Sequence, residues 1–97
     1  MTSELFIFAR FHAKEGRHDA VAASIQEVLK PTRQEAGCLF IHAFGSIGDP
    51  RLFYIHSRWK DEAAFDNHAQ LPHTVRFIEK VQALVDHTVE VTRTRLL

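Results

Sequence analysis

The amino-acid sequence predicts an α+β fold in which helices cover one face of a four-stranded antiparallel sheet. Strand-like and helix-like segments follow one another in the order βα-ββ-αα-β, with no linker or repeat between them. The chain has 97 residues, of which 45% are apolar and 25% charged, and this fits one globular domain over residues 1–97. Together, the order and the size favour the ferredoxin-like arrangement.

The first half of the chain supplies a strand, a helix and a second strand. Leu5–His12 begins with apolar residues in both alternating sets, which is typical of a strand buried on both faces. Between Arg17 and Ala36, apolar residues recur at three- and four-residue spacing, which predicts a helix. Pro31 should kink or interrupt that helix and Gly37 should end it. Residues 38–44 predict the second strand.

The second half supplies a strand, two helices and a last strand. A segment rich in turn residues precedes the third strand, Leu52–Trp59, and indicates a hairpin. Asp61 has the position and chemistry of an N-cap for a helix over Glu62–Ala69. Pro72 can start the next helix, because the first helical residue needs no backbone donor. Residues 87–96 alternate with period two and predict the final strand.

The hairpin has a predicted register. A turn over about residues 46–51 opposes three pairs of residues, which are Phe44 with Tyr54, His42 with His56, and Phe40 with Arg58. These residues form an aromatic and basic face. The opposite face, which suits packing under the helices, carries Leu39, Ile41, Ala43, Phe53, Ile55, Ser57 and Trp59.

The sheet face away from the helices needs a cover of its own. One helical layer covers only one face, whereas the first strand is apolar on both. A second copy of the same chain is the economical cover, so we expect a homodimer in which two sheets face each other.

Composition excludes several classes of protein. The formal net charge is zero, which gives no electrostatic basis for binding nucleic acid or an anionic membrane. No apolar run approaches the length of a membrane span, and the N-terminus lacks a signal-peptide pattern. Cys38 is the only cysteine, so a reduced, cytoplasmic setting is expected. Cys38 itself has no base beside it in sequence and is expected to be a small buried residue.

His68 is the leading candidate for chemistry. It follows Phe65 by three residues and Trp59 by nine, so one helix face can return it to the end of the third strand. A neutral imidazole there could accept a phenolic proton, and the alternative is a hydrogen-bonded core histidine. His73 follows Pro72 and either lies at the mouth of the same pocket or is exposed in the first helical turn.

The other histidines give weaker signals. His42 and His56, if opposed, make half of a metal site, and since spacing fixes no third ligand we predict no metal. His12, His18 and His87 flank the ends of strands or helices and are expected to face water. Two arginines could hold an anionic substrate or form ordinary ion pairs, namely Arg10 and Arg58.

Several segments resemble one known family over nearly the whole chain. They are Pro31-Thr32-Arg33, Glu35-Ala36-Gly37-Cys38-Leu39, Leu52-Phe53-Tyr54, and the stretch from Trp59 to His68 followed by His73 and Phe77. On these motifs the chain resembles the antibiotic biosynthesis monooxygenase superfamily, the dimeric α/β-barrel proteins. Ser57 departs from the pattern, because many relatives carry a glutamate there, and more of any acid–base role then falls to His68.

The resemblance implies oxygenation of an aromatic polyphenol or quinol by dioxygen, without metal, flavin or haem. His68 would be the proton acceptor. The substrate pocket would be formed by Ser57, Trp59, Phe65, His73 and Phe77. The family also includes an isomerase and members without known activity, so two alternatives stay open. They are a proton-transfer enzyme acting on a small oxygenated metabolite, and a non-catalytic dimer that binds a small molecule.

Overall fold

A computed structural model describes residues 3–97 and confirms the ferredoxin-like α+β architecture. Its strands form one antiparallel sheet in the order β2-β3-β1-β4. Within residues 3–97, no helix has the length and apolar character needed to cross a membrane. The elements are β1 (Leu5–His12), α1 (His18–Arg33), β2 (Cys38–Gly45), β3 (Leu52–Trp59), α2 (Glu62–Gln70), α3 (Pro72–Gln82) and β4 (Glu90–Thr94).

The core lies between the helices and one face of the sheet. Alternate residues of β1 enter it, and Ile7 and Phe11 are each only 2% exposed. Val21 of α1 and Val81 of α3 close the core from the helical side and are fully buried. The stripes predicted for the helices therefore pack as amphipathic helices should.

The second face of the sheet is open in the single chain. Phe8 and Phe44 are 50% and 52% exposed, and Tyr54 is 39% exposed. The expectation that β1 is buried on both faces is therefore met on one face only within one chain. His56 on the same face stacks on Phe8 with a centroid distance of 4.3 Å and meets the ring of Phe40 edge-on at 5.2 Å.

The hairpin register is confirmed, with one correction. His42 lies opposite His56, and the two flanking pairs also match the prediction. A bulge between Cys38 and Phe40 places an extra residue in β2, however. Leu39 is consequently 47% exposed instead of lying under the helices, and Cys38 takes the position that packs against the core.

The end of α1 differs from the prediction. The helix continues through Pro31 and stops at Arg33, so Pro31 does not interrupt it and Gly37 does not end it. Gly37 has a different role, since a Cβ atom there would lie 2.5 Å from the Cβ of Ala64. The missing side chain lets α2 approach the segment between α1 and β2, where the Lys60 N–H donates to the Gly37 carbonyl at 3.0 Å.

The predicted start of α2 is confirmed in detail. The Asp61 side chain accepts a hydrogen bond from the Ala64 N–H at 2.8 Å and caps the helix. Pro72 stands at the first position of α3, as predicted. The last strand is shorter than predicted, since only Glu90–Thr94 pairs with β1.

Candidate active site

An apolar cavity of about 270 Å³ lies between the sheet and the helices. Side chains from β1, β3 and all three helices line it, including Phe65 and Phe77. Its polar lining residues are Thr32, Ser57, His68 and Thr74. Because ligand pockets usually measure about 300–1,000 Å³, this volume favours a small, mainly apolar ligand with few polar groups.

The helix α2 carries His68 into the wall of this cavity. The side chain is buried, and its ring packs 4.6 Å from the indole of Trp59 and 5.6 Å from the ring of Phe65. The sequence spacing predicted both neighbours, because Phe65 lies one turn before His68 on α2 and that side of the helix returns to Trp59 at the end of β3. The aromatic surroundings exclude water from most of the imidazole.

Glu35, which does not line the cavity, contacts His68 and holds it in place. His68 Nδ1 lies 2.7 Å from Glu35 Oε2, and His73 Nε2 lies 2.7 Å from the same oxygen. The Glu35 side chain is only 11% exposed. An ionised carboxylate can only accept, so each imidazole donates an N–H to it. The Thr74 hydroxyl lies 3.3 Å from the same His68 nitrogen.

This arrangement fixes the tautomer of His68. With the proton on Nδ1, the lone pair of the neutral ring lies on Nε2. Nε2 has no hydrogen-bond partner among residues 3–97. Every fully buried side-chain nitrogen or oxygen in that range has a partner, so the unpaired Nε2 is not fully buried. Nε2 is therefore the atom of His68 that is free to accept a proton from a ligand.

Burial keeps His68 neutral. Desolvation lowers the pKa of His68 below its ordinary value, and the neighbouring imidazole of His73 acts in the same direction. The carboxylate of Glu35 opposes both by favouring the imidazolium, but burial has the larger effect. His68 is thus a neutral base at pH 7, beside a negative charge that can stabilise it once it is protonated.

The other residues predicted for the site take different positions. Ser57 lines the cavity, and its hydroxyl accepts a hydrogen bond from Trp59 Nε1 at 3.0 Å. Trp59 is fully buried and does not line the cavity; it supports His68 from behind. His73 does not line the cavity either, because Glu35 holds its ring, and it borders a shallow groove together with Arg76.

The remaining candidate groups lie away from the cavity. Arg10 pairs with Glu90 and Arg58 pairs with Glu4, so these arginines form ion pairs on the chain itself. Burial raises the pKa of the Cys38 thiol to about 11, with Glu35 contributing in the same direction. Such a thiol is almost entirely protonated at pH 7, which agrees with an inert, partly buried residue.

Glu35 is the residue of this candidate site that the sequence did not reveal. Thirty-three positions separate it from His68, and no spacing rule joins them. The available signal is electrostatic, since Glu35 follows the C-terminus of α1, where the helix dipole disfavours a carboxylate. Glu35, His68 and His73 also offer one ligand atom each within 4.8 Å of one another, so this cluster has the donor set of a metal site.

Fold and cavity together define the class: a small α+β domain that encloses a small-molecule pocket with a carboxylate-held histidine. The family model for "Antibiotic biosynthesis monooxygenase" matches residues 5–90. The chain therefore belongs to the antibiotic biosynthesis monooxygenase family, as the sequence motifs indicated.

Individual relatives agree with this assignment. "Putative monooxygenase Rv0793" of Mycobacterium tuberculosis is 29% identical over 92 residues, covering 95% of this chain and 90% of that protein. YcnE of Bacillus subtilis bears the same description and is 27% identical over 88 residues, covering 91% of this chain and 93% of that protein. The solved structure of Rv0793 superposes with a TM-score of 0.93, and covers 98% of this chain and 96% of its own at 26% identity. That of PA3566 from Pseudomonas aeruginosa has a TM-score of 0.92, covering 100% and 97% of the two chains at 30% identity.

Proposed function

We propose that this protein is a cofactor-independent monooxygenase of a small phenol or quinol, with His68 as the proton acceptor. The observation that carries the proposal is the position of His68, whose Nε2 has no hydrogen-bond partner among residues 3–97, in the wall of a mainly apolar cavity. A buried neutral base of this kind suits the removal of a phenolic proton. The family membership and the names of the relatives support the oxygenase class.

The proposed reaction needs no external reductant. His68 removes the phenolic proton, and the electron-rich anion supplies electrons to dioxygen. One oxygen atom replaces a hydrogen on a ring carbon and becomes a carbonyl, and the other oxygen atom leaves as water. That water takes up the phenolic hydrogen and the hydrogen displaced from the ring carbon. The four electrons that reduce dioxygen all come from the substrate. The apolar walls around the anion limit water and competing proton transfer.

Glu35 acts through His68 in this proposal and is a positioning residue. Its carboxylate keeps the proton on Nδ1, so that Nε2 presents its lone pair, and it stabilises the imidazolium formed after proton transfer. His73 donates to the same carboxylate oxygen and holds Glu35 in place. The arrangement would serve a proton-transfer enzyme equally well, so the role of oxygen must be tested directly.

The test is dioxygen consumption with a panel of hydroquinones, catechols and fused-ring phenols, using protein dialysed against a chelator. We expect uptake of one dioxygen per quinone formed, and none with the matched methyl ethers, because an ether has no proton to lose. Heat-denatured protein corrects for autoxidation. Conversion that proceeds equally well without oxygen would establish the proton-transfer alternative. If ligands raise the thermal midpoint but no turnover is detected, the protein is a non-catalytic binding protein.

The proposal includes a homodimer that covers the open face of the sheet. Phe8, Phe44 and Tyr54 make this face aromatic and half-exposed in the single chain. Sedimentation at micromolar concentration is expected to give a dimer. Phe8→Lys should weaken it by roughly 10²–10⁴-fold, since two phenylalanines, each worth about 1.5–3 kcal/mol when buried, leave the interface.

The matched control for the dimer is Ile47→Lys. Ile47 is fully exposed in the turn between β2 and β3 and is not on the open face. The Ile47→Lys variant should sediment as a dimer, as the wild type does. A wild-type protein that is monomeric under these conditions, or a Phe8→Lys variant that dimerises as tightly as the control, would contradict the proposed interface.

A further inference from the structure

A second cluster of histidine and carboxylate groups lies away from the proposed active site. His12 Nδ1 and His87 Nδ1 lie 2.7 Å and 2.6 Å from the same oxygen, Oδ1 of Asp86. Each of the three residues offers one ligand atom within 4.8 Å of the others. The sequence predicted that His12 faces water, but its side chain is only 14% exposed, and its two ring nitrogens contact the carboxylates of Asp86 and Asp49.

We propose that His12, Asp86 and His87 form a binding site for a divalent transition-metal ion of the zinc class. Two imidazoles and one carboxylate are a common donor set for such ions, with a water molecule completing the coordination. Ligand atoms about 2.1 Å from a tetrahedral zinc ion are roughly 3.4 Å apart. The present hydrogen-bonded atoms need to separate by less than about 1 Å to admit the ion.

The outer contacts of His12 are those of a metal ligand. Its second nitrogen, Nε2, lies 3.2 Å from Asp49 Oδ2 and donates its proton there when Nδ1 binds an ion. A carboxylate on the other nitrogen of a ligating histidine fixes the tautomer and raises the basicity of the ligand. Asp49 is itself held, because its Oδ1 accepts from the Arg51 N–H at 3.0 Å. In the cluster around Glu35, by contrast, Nε2 of His68 has no such carboxylate.

The backbone fixes the positions of two ligands. The Asp86 N–H donates to the carbonyl of His12 at 3.0 Å, and the neighbouring residues Ala13 and Val85 form a β-bridge. His12 and Asp86 therefore lie on paired backbone segments, which suits a pre-formed site. His87 is the adjustable ligand, since its side chain is 65% exposed.

The local charge also favours a cation. Asp49 and Asp86 supply two negative charges against the single guanidinium of Arg51, whose Nη2 lies 3.4 Å from Asp86 Oδ2. With neutral imidazoles, the cluster carries a net charge of −1. Imidazole ligands select zinc-class ions over magnesium and calcium, which prefer oxygen.

Calorimetric titration of the full, tag-free chain with ZnCl₂ tests the site. We expect one zinc ion to bind per chain and no saturable response to MgCl₂. The midpoint of thermal unfolding should rise with zinc and return to its zinc-free value after addition of EDTA. His87→Ala should weaken binding by at least about 100-fold. Asp49→Asn should weaken it by about 10–100-fold, the usual effect of losing an outer carboxylate.

Two histidine variants serve as controls. His18→Ala removes an exposed histidine paired with Asp19 and should bind zinc as the wild type does. His73→Ala should also retain stoichiometric binding, since His73 belongs to the other cluster. Binding lost in His73→Ala but kept in His87→Ala would overturn the proposal, as would an absence of saturable binding. These readouts do not depend on the proposed oxygenase activity.

Discussion

Replacing His68 with glutamine is expected to lower kcat/KM for the phenolic substrate by about 10²–10⁴-fold. Glutamine keeps polar contact with Glu35 but has no basic nitrogen to direct at the cavity. The loss should appear mainly in kcat, because the apolar walls that bind the substrate remain. Dioxygen uptake with the best substrate of the panel measures the effect. His18→Gln, at an exposed site outside the cavity, is the matched control and should retain full activity.

The pH dependence of kcat/KM provides a second test of His68 as the base. Burial lowers the pKa of His68, so the wild-type base stays neutral at pH 7 and kcat/KM should fall only as the pH drops below about 6.5. Glu35→Gln removes the carboxylate that favours the imidazolium, so its acidic limb should move to still lower pH, with a reduced plateau. In the His68→Gln background, the Glu35 change should add little. Unchanged turnover in folded His68→Gln would refute the assignment of His68.

Trp59→Ala is expected to lower the free energy of unfolding by about 3–5 kcal/mol. Trp59 is fully buried against Leu5 and Ile7, and its ring contacts Phe65 and His68. Alanine leaves a cavity in this second part of the core, which cannot collapse fully around the fixed end of β3. Because domains of this size are stabilised by about 5–15 kcal/mol, the variant should be close to unfolding at 37 °C. Urea denaturation measures the change.

Two further variants make the Trp59 result interpretable. Trp59→Phe keeps an aromatic ring but loses the hydrogen bond to the Ser57 hydroxyl, so it should cost less than alanine does. Ile47→Ala changes a fully exposed turn residue and should stay within about 0.5 kcal/mol of the wild type. A Trp59→Ala variant within 1 kcal/mol of wild type would mean that the indole is not the support inferred for α2.

Local periodicity explains why most of the fold could be predicted. The position of β1 follows from an apolar run that fills both alternating sets, and that of β3 from the turn-rich segment before it. The start of α2 follows from the capping chemistry of Asp61. The hairpin register followed from keeping one face apolar, because a slip by one residue would exchange the two faces. The prediction that Leu39 lies under the helices was wrong because a bulge adds one residue to β2. Such an insertion does not change the apolar pattern on either side of it, so the sequence does not reveal it.

The candidate site likewise has residues that local spacing predicted and residues that only the folded structure revealed. Helical spacing determined that Phe65 and His68 share one side of α2, and the strand end determined that Trp59 lies near them. Only the tertiary structure brought in Glu35, because its contact with His68 requires α2 to approach the chain at Gly37, where no side chain intervenes. The same is true of the cluster at His12, since its ligands come from a strand end and from the segment after α3. The sequence alone therefore determined the order of elements, their buried faces and the leading histidine, which depend on local geometry. The partners that tune this histidine depend on long-range packing, and only the folded chain decided them.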